Sequence, residues 1–260
     1  MDKEEKECFV ELHIQSTNEI AEVLQMISDS TSNLLELVNL LKINHEILGM
    51  IEFAYYNNVV KGRIHYYKAS LAREWYYKEF PSREYNIDKF EVTTYSYESL
   101  FYSVLSGNRE WAVRMANLFG SYKELETDEF LANELLGYGL KYVILDDKEH
   151  AEEYIQKLED NKDKRGMKQY AKGYARAYRG IIERDTEEFN QGLLFMLKNH
   201  ASRMVKNGKN MMKYFAYDSV ALAMIARERG IEITVEHELL PKNYLEETDI
   251  DYSKLKLFEE

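Results

Sequence analysis

The sequence predicts an all-α protein built from stacked antiparallel helix pairs, an α-α superhelix or bundle of the tetratricopeptide-like kind with a short extended segment near the C-terminus. Three observations predict it. Only two prolines, Pro81 and Pro241, interrupt 260 residues, which leaves a long stretch free of the residue that most strongly breaks helices. Apolar residues recur at helical spacing over most of the chain. A degenerate motif also repeats. Asn108-Arg109-Glu110-Trp111-Ala112, Asp147-Lys148-Glu149-His150-Ala151 and Asp185-Thr186-Glu187-Glu188-Phe189 each read Asn/Asp-x-Glu-x-apolar, at offsets of 39 and 38 residues.

In chain order, Ile20, Leu24, Ile27, Thr31, Leu34, Val38 and Leu41 follow a 4-3-4-3 spacing. One long helix carrying a heptad seam is the reading, and a homodimer through the Ile20–Leu41 seam is its consequence. Asp29-Ser30-Thr31-Ser32-Asn33 in the middle offers the alternative of two helices, since these side chains compete for backbone hydrogen bonds. Further helices are expected over Glu46–Asn57 and Ile64–Phe80, the latter stopped by Pro81 because the residue before proline resists the α conformation.

The repeats then place their Asn or Asp as a helix N-cap, with Glu in the first turn complementing the positive end of the helix dipole. Leu105, Ile144 and Ile182 stand three residues before each cap and close the preceding helix, which also carries Tyr102, Tyr142 or Tyr178. Met167 to Arg184 shows an apolar stripe of Met167, Tyr170, Ala171, Tyr174, Tyr178 and Ile181, so the three tyrosines are expected to form a buried ladder. Its opposite ridge, Arg165, Lys168, Lys172, Arg176 and Arg179, is basic and suits a solvated face or an acidic element. Thr186 to Val205 buries Phe189, Leu193, Met196, Leu197 and Met204, and ends before Asn207-Gly208. A final helix, Tyr214 to Arg229, ends on Gly230 as a left-handed cap, and Ile231–Glu236 then alternates in the manner of an extended segment or edge strand. Asp218 lies on the apolar stripe with Leu222 and Ile225, which calls for snorkelling or for an Arg or Lys partner. One domain over residues 1–260 is expected, with a helical subregion 1–80 packed on helix-pair repeats over 96–230.

A net charge of −12 argues against nucleic acid or an anionic membrane as partner and for a basic protein. Residues 1–50 hold 10 acids against 3 bases. The start, Met1 to Glu7, lacks the apolar region of a secretory signal and no run of 18 apolar residues occurs, so the cytoplasm is the expected compartment. The single cysteine, Cys8, excludes an internal disulfide. Six scattered histidines carry no metal-ligand spacing, and His200, on a stripe with Met196 and Met204, reads as a core residue. No phosphate loop, nucleophile elbow or cofactor motif is present, so neither an enzyme nor a cofactor is expected.

Tyr214 to Ile231, followed by Thr234-Val235 and Leu239-Leu240-Pro241, resembles the end of the immunity protein 49 family. Immunity proteins opposing nuclease toxins of the PoNe type end in a similar alanine-rich helix and proline-containing segment. The family resemblance implies a mostly helical bacterial antitoxin, encoded beside a polymorphic toxin, that binds and neutralises a toxin domain. A basic, nuclease-like toxin would suit the acidic charge. The alternative is a helical-repeat scaffold or regulator that binds a peptide or protein. The candidate contact surface is the acidic stretch Asp146, Asp147, Glu149, Glu152 and Glu153, which could also be read as a divalent-cation cluster or as the cap and exposed face of a helix start. The aromatic residues Tyr55, Tyr56, Tyr66 and Tyr76 form the next candidate.

Overall fold

Side-chain caps set the helix boundaries of this protein, a computed structural model that describes residues 1–29, 33–82, 85–126, 131–206 and 211–259, with 201, 203–206, 211 and 212 as backbone alone. Helix α1 (Lys3–Ser28) opens on a capping box. The Asp2 carboxylate accepts from Glu5 N at 2.9 Å, and the Glu5 carboxylate accepts from Asp2 N at 2.8 Å. Helix α2 (Leu34–Ala54) starts afresh, its cap Asn33 accepting from Leu35 N at 3.1 Å.

The continuous Ile20–Leu41 helix is therefore not formed. The polar run at Asp29–Asn33 divides it, with Thr31 outside the described residues. His13 with Glu52, and Glu19 with Asn44, pair α1 with α2 in antiparallel register. Val23, Leu37, Val38 and Leu41 are buried within the chain, so these seam residues serve its own core. The helix expected over Glu46–Asn57 is the second half of α2, not a separate element.

Helix α3 (Val59–Glu79), capped by Asn58, returns along α2 and gives way to a 3-10 turn, Phe80–Ser82, across Pro81. Three pairs follow: α4 (Glu98–Leu105) with α5 (Arg109–Leu118), α6 (Leu131–Leu145) with α7 (Lys148–Asp160), and α8 with α9 (Thr186–Lys206). Helix α8 runs as Lys168–Tyr170, a π-helical turn Ala171–Ala175, and Arg176–Glu183.

All three predicted caps form. Asn108, Asp147 and Asp185 accept from Trp111 N at 3.0 Å, His150 N at 3.2 Å and Glu188 N at 2.9 Å. The repeat extends to a backbone feature. The residue before each cap is left-handed, with φ of 74° at Gly107, 58° at Asp146 and 60° at Arg184, which closes the first helix and turns the chain into the second. Leu105, Ile144 and Ile182 are buried at the closing positions. Within the last pair the backbones nearly touch, since a Cβ on Gly192 would lie 2.6 Å from Ala177 N.

Helix α10 (Tyr217–Glu228) is enclosed, with every residue from Ser219 to Ala226 buried between α4, α8 and α9. Gly230 at φ 78° ends it, and Ile231 N donates to Ala226 O at 3.0 Å. The alternating segment after it is extended without joining a β ladder among the described residues. Asn190 of α9 instead donates to Glu232 O and accepts from Thr234 N. This C-terminal strap crosses back to α3, where buried Arg63 donates to Thr248 Oγ1 at 2.7 Å, Tyr244 O at 3.2 Å and Glu246 O at 2.6 Å. About three quarters of the described residues are helical and the fold is all-α.

The tyrosine ladder forms in part. Tyr170, Tyr174 and Tyr178 contact ring to ring at 5.7 and 6.1 Å, but only Tyr178 is fully buried. The π-helical turn shifts the helical register between Tyr170 and Tyr178, so a stripe read with a constant 3.6 period misplaces the first two. On α9, Phe189, Leu193, Met196, Leu197 and His200 are buried as the stripe requires, whereas the Met204 side chain and Asn207-Gly208 lie outside the described residues.

Candidate partner-binding site

The acidic stretch on α7 is occupied by cations of the same chain. Asp146 pairs with Arg184 at 2.9 Å and Arg229 at 3.2 Å, and Glu152 with Arg179 at 3.1 Å. Glu153 pairs with Lys157 at 2.7 Å, which holds its carboxyl below the usual carboxylate range. Asp147 caps α7 and meets the His150 ring at 2.7 Å. Glu149 is exposed beside them. The basic ridge of α8 explains part of this neutralisation, since Arg179 bridges to Glu152 and Glu159 while Arg176 binds Glu188 at 2.7 Å. Arg165, Lys168 and Lys172 of that ridge are exposed. Among the described residues no group of three or more His, Cys, Asp or Glu is placed to hold a metal ion.

The second candidate dissolves. Tyr66 and Tyr76 are each 1% exposed, and Tyr55 stacks on Phe9 at 5.4 Å, leaving Tyr56 as the exposed ring of the four. The rings were grouped by composition, yet α2 and α3 turn two of them into the core.

A different cluster is assembled by the fold. Tyr102 of α4 stacks on Tyr66 at 5.2 Å between ring centroids and meets the Tyr217 ring at a tilt, at 5.6 Å. The Tyr217 hydroxyl donates to Glu98 at 2.8 Å, and the Tyr174 hydroxyl donates to Asp218. The Glu46 carboxyl of α2 adds to the rise that burial imposes on the pKa of both Tyr66 and Tyr102. Tyr102, Tyr174, Tyr217 and Glu46 are each half-buried. Helices α3, α4, α8 and α10 supply the rings and carboxylates of this cluster.

Its electrostatics are acidic. Burial pushes the Glu46 carboxyl up to about 7, with Glu98 and Glu91 adding to the rise and Lys42 and Arg73 opposing it. Burial also raises Glu98, helped by Asp218 and opposed by the Tyr217 hydrogen bond. Among the described residues Glu46 makes no hydrogen bond or ion pair. The nearest cations are engaged elsewhere: Lys42 donates to both Glu91 oxygens at 3.0 and 2.9 Å, and Arg73 donates to the Glu91 carbonyl at 2.6 Å and to its carboxylate.

Sequence reasoning missed Glu46 and Glu98. Asp218 was the signal that pointed here, a carboxylate on an apolar stripe. Its partners are the Tyr174 hydroxyl and Ser219 N, not the Arg or Lys expected.

Among curated proteins and among solved structures nothing matches the chain. A family model does match, over residues 126–244, and its description is Immunity protein 49. The match covers the second and third helix pairs, α10 and the strap as far as Tyr244, so it includes Tyr174, Tyr217 and Asp218 of the cluster and leaves Glu46, Glu98 and Tyr102 outside. The resemblance first visible in the block Tyr214 to Ile231 thus extends over residues 126–244, and in that stretch the chain is similar to the immunity protein 49 family.

Proposed function

We propose that this protein is a bacterial immunity protein that works in the cytoplasm by binding and neutralising a toxin domain encoded beside it, rather than by catalysis. The observation that carries the reading is the match of residues 126–244 to the immunity protein 49 family. The net charge of −12 supports a basic toxin, as a nuclease-like domain would be. No helix among the described residues is long and apolar enough to cross a membrane.

Asp146, Asp147, Glu149, Glu152 and Glu153 serve in this reading as a secondary surface that attracts the toxin at longer range. Glu149 and Glu153, both exposed, are its outermost charges. Their pairing with Arg and Lys limits what they contribute as anchors.

The test is co-expression. The toxin gene next to this one, induced in a sensitive bacterium, should arrest growth, and expression of the full chain should restore it and co-purify with the toxin. A chain that folds and accumulates but gives neither rescue nor co-purification overturns the reading.

A further inference from the structure

A cavity of about 510 Å³ opens between α3, the α4–α5 turn, α10 and the strap, and charges of both signs line it: Arg63, Arg109 and Arg227 with Glu228, Glu246 and Glu247. A smaller chamber of about 20 Å³ shares Arg109 and Glu228 with it, and has room for one water molecule or one carboxylate oxygen. The opposite charges do not pair with one another. Among the described residues Arg109 and Glu228 make no hydrogen bond or ion pair, although burial raises the Glu228 carboxyl and Arg109, Arg229 and Arg63 oppose the rise. Arg229, its side chain 7% exposed, lines the smaller chamber. Its Nη2 donates to Val143 O, whereas Nη1 lies 3.2 Å from Asp146 Oδ1 and makes no hydrogen bond. A buried guanidinium N–H without an acceptor is costly, and such groups are ordinarily satisfied.

We propose that this cavity binds a small zwitterion of the α-amino-acid class, with its carboxylate against Arg109 and Arg229 and its ammonium against Glu228 and Glu247. Opposite charges that line one space without meeting are matched by a ligand that carries both. A carboxylate oxygen in the smaller chamber gives Arg229 Nη1 the acceptor it lacks, and guanidinium–carboxylate pairs are among the strongest hydrogen bonds a protein makes. A plain anion would be set against Glu228, and a plain cation against Arg109 and Arg229, so neither fits the whole lining. Met224 and Leu245 offer apolar contact to the side chain of the ligand. The volume lies in the range of small-molecule sites, about 300–1,000 Å³. Arg63, 3% exposed and bonded to Glu246 O and Thr248 Oγ1, fixes the strap as one wall. The site goes beyond the immunity reading and stands without it.

The experiment uses the full chain without any toxin. Thermal shift against each standard amino acid, with acetate and methylamine as the two half-ligands, is followed by calorimetry on the amino acids that raise the melting temperature. At least one amino acid should bind, and about tenfold or more tighter than either half-ligand. Arg109→Gln and Glu228→Gln each remove one charge from an exposed position, and each should weaken that binding by about tenfold or more. Melting without ligand shows that the variants are folded. Should either melt early, Glu247→Gln, on the exposed strap, supplies the measurement in its place. The proposal is overturned if no amino acid binds at concentrations up to about 10 mM. It is equally overturned if acetate binds as tightly as the best amino acid, which makes the cavity a plain anion site. Amino-acid binding that all these variants leave within about twofold of wild type places the ligand elsewhere and overturns it too.

Discussion

The Tyr174 hydroxyl donates to the carboxylate of Asp218, joining residues 44 apart in sequence and tying the π-helical turn of α8 to the first turn of α10. The other Asp218 oxygen accepts from Ser219 N at 2.6 Å. No Arg or Lys reaches this carboxylate among the described residues, so the phenol is what satisfies its outer oxygen. Tyr174→Phe keeps the ring contacts to Tyr170, Tyr178 and Phe101 and removes that one donor. It should destabilise the protein by about 1–3 kcal/mol, the cost of leaving a partly buried charged acceptor unsatisfied. Urea unfolding measures it. A change below about 0.5 kcal/mol would mean that water replaces the phenol and that the link is not structural.

Glu46 makes stability depend on pH. Its carboxyl ionises near the ordinary value of 4.5 in the unfolded chain and at about 7 in the folded one, raised by burial. The folded state therefore binds more protons between those values, and stability falls as pH rises from about 4.5 to about 7. Glu46→Gln removes that loss. The variant should match the wild type below pH 4.5 and exceed it above pH 7 by up to about 3 kcal/mol. Lys42 and Arg73 on one side, Glu98 and Glu91 on the other, and the Tyr66 and Tyr102 rings all face this group, so the curve is compared between wild type and variant and not read alone. Identical pH profiles of melting temperature would mean that burial does not shift the Glu46 carboxyl.

Arg63 carries the third prediction. Its guanidinium binds three acceptors on the strap, Thr248 Oγ1, Tyr244 O and Glu246 O, and holds residues far along the chain against α3. A lysine reaches at most part of this set with a single nitrogen. Arg63→Lys should cost about 2–4 kcal/mol and should raise amide exchange across Tyr244 to Thr248 more than in α7. Uniformly increased exchange over the whole chain would indicate loss of global stability and not release of the strap.

The helix pairs were legible because their determinants are local. Asn108, Asp147 and Asp185 cap helices within three residues, and a single sequence carries that information intact. Gly107 before its cap also advertises a left-handed residue, whereas Asp146 and Arg184 adopt the same conformation without announcing it. The division between α1 and α2 was visible in Asp29–Asn33, but a regular heptad spacing across it favoured the wrong alternative. The cluster was not legible, because Glu98, Tyr102, Tyr174, Tyr217 and Asp218 come together only through the packing of α4, α8 and α10. Nothing in the spacing of Glu46 separates it from a surface glutamate. The block that carries the family resemblance proves to be largely core, with Ser219 to Ala226 all buried, so it records how the fold is held and leaves the contact residues to be found elsewhere.

Charge on the α7 surface bears on the rate of encounter, and salt separates that effect from anchoring. Asp147 is a poor probe because reversing it also removes an N-cap worth about 1 kcal/mol. Glu149 and Glu153 are exposed, and neither caps a helix. Long-range attraction between an acidic immunity protein and a basic toxin is screened beyond about 8 Å at physiological ionic strength, while contacts buried in the interface are screened much less. Association with the toxin should therefore slow by about tenfold or more between low and high salt, with dissociation changing far less. Glu149→Lys with Glu153→Lys should lower the association rate at low salt and converge on the wild type at high salt. Stopped-flow measurements of wild type and variant check this, and a wild-type association rate that does not depend on salt would remove the electrostatic case for a basic toxin.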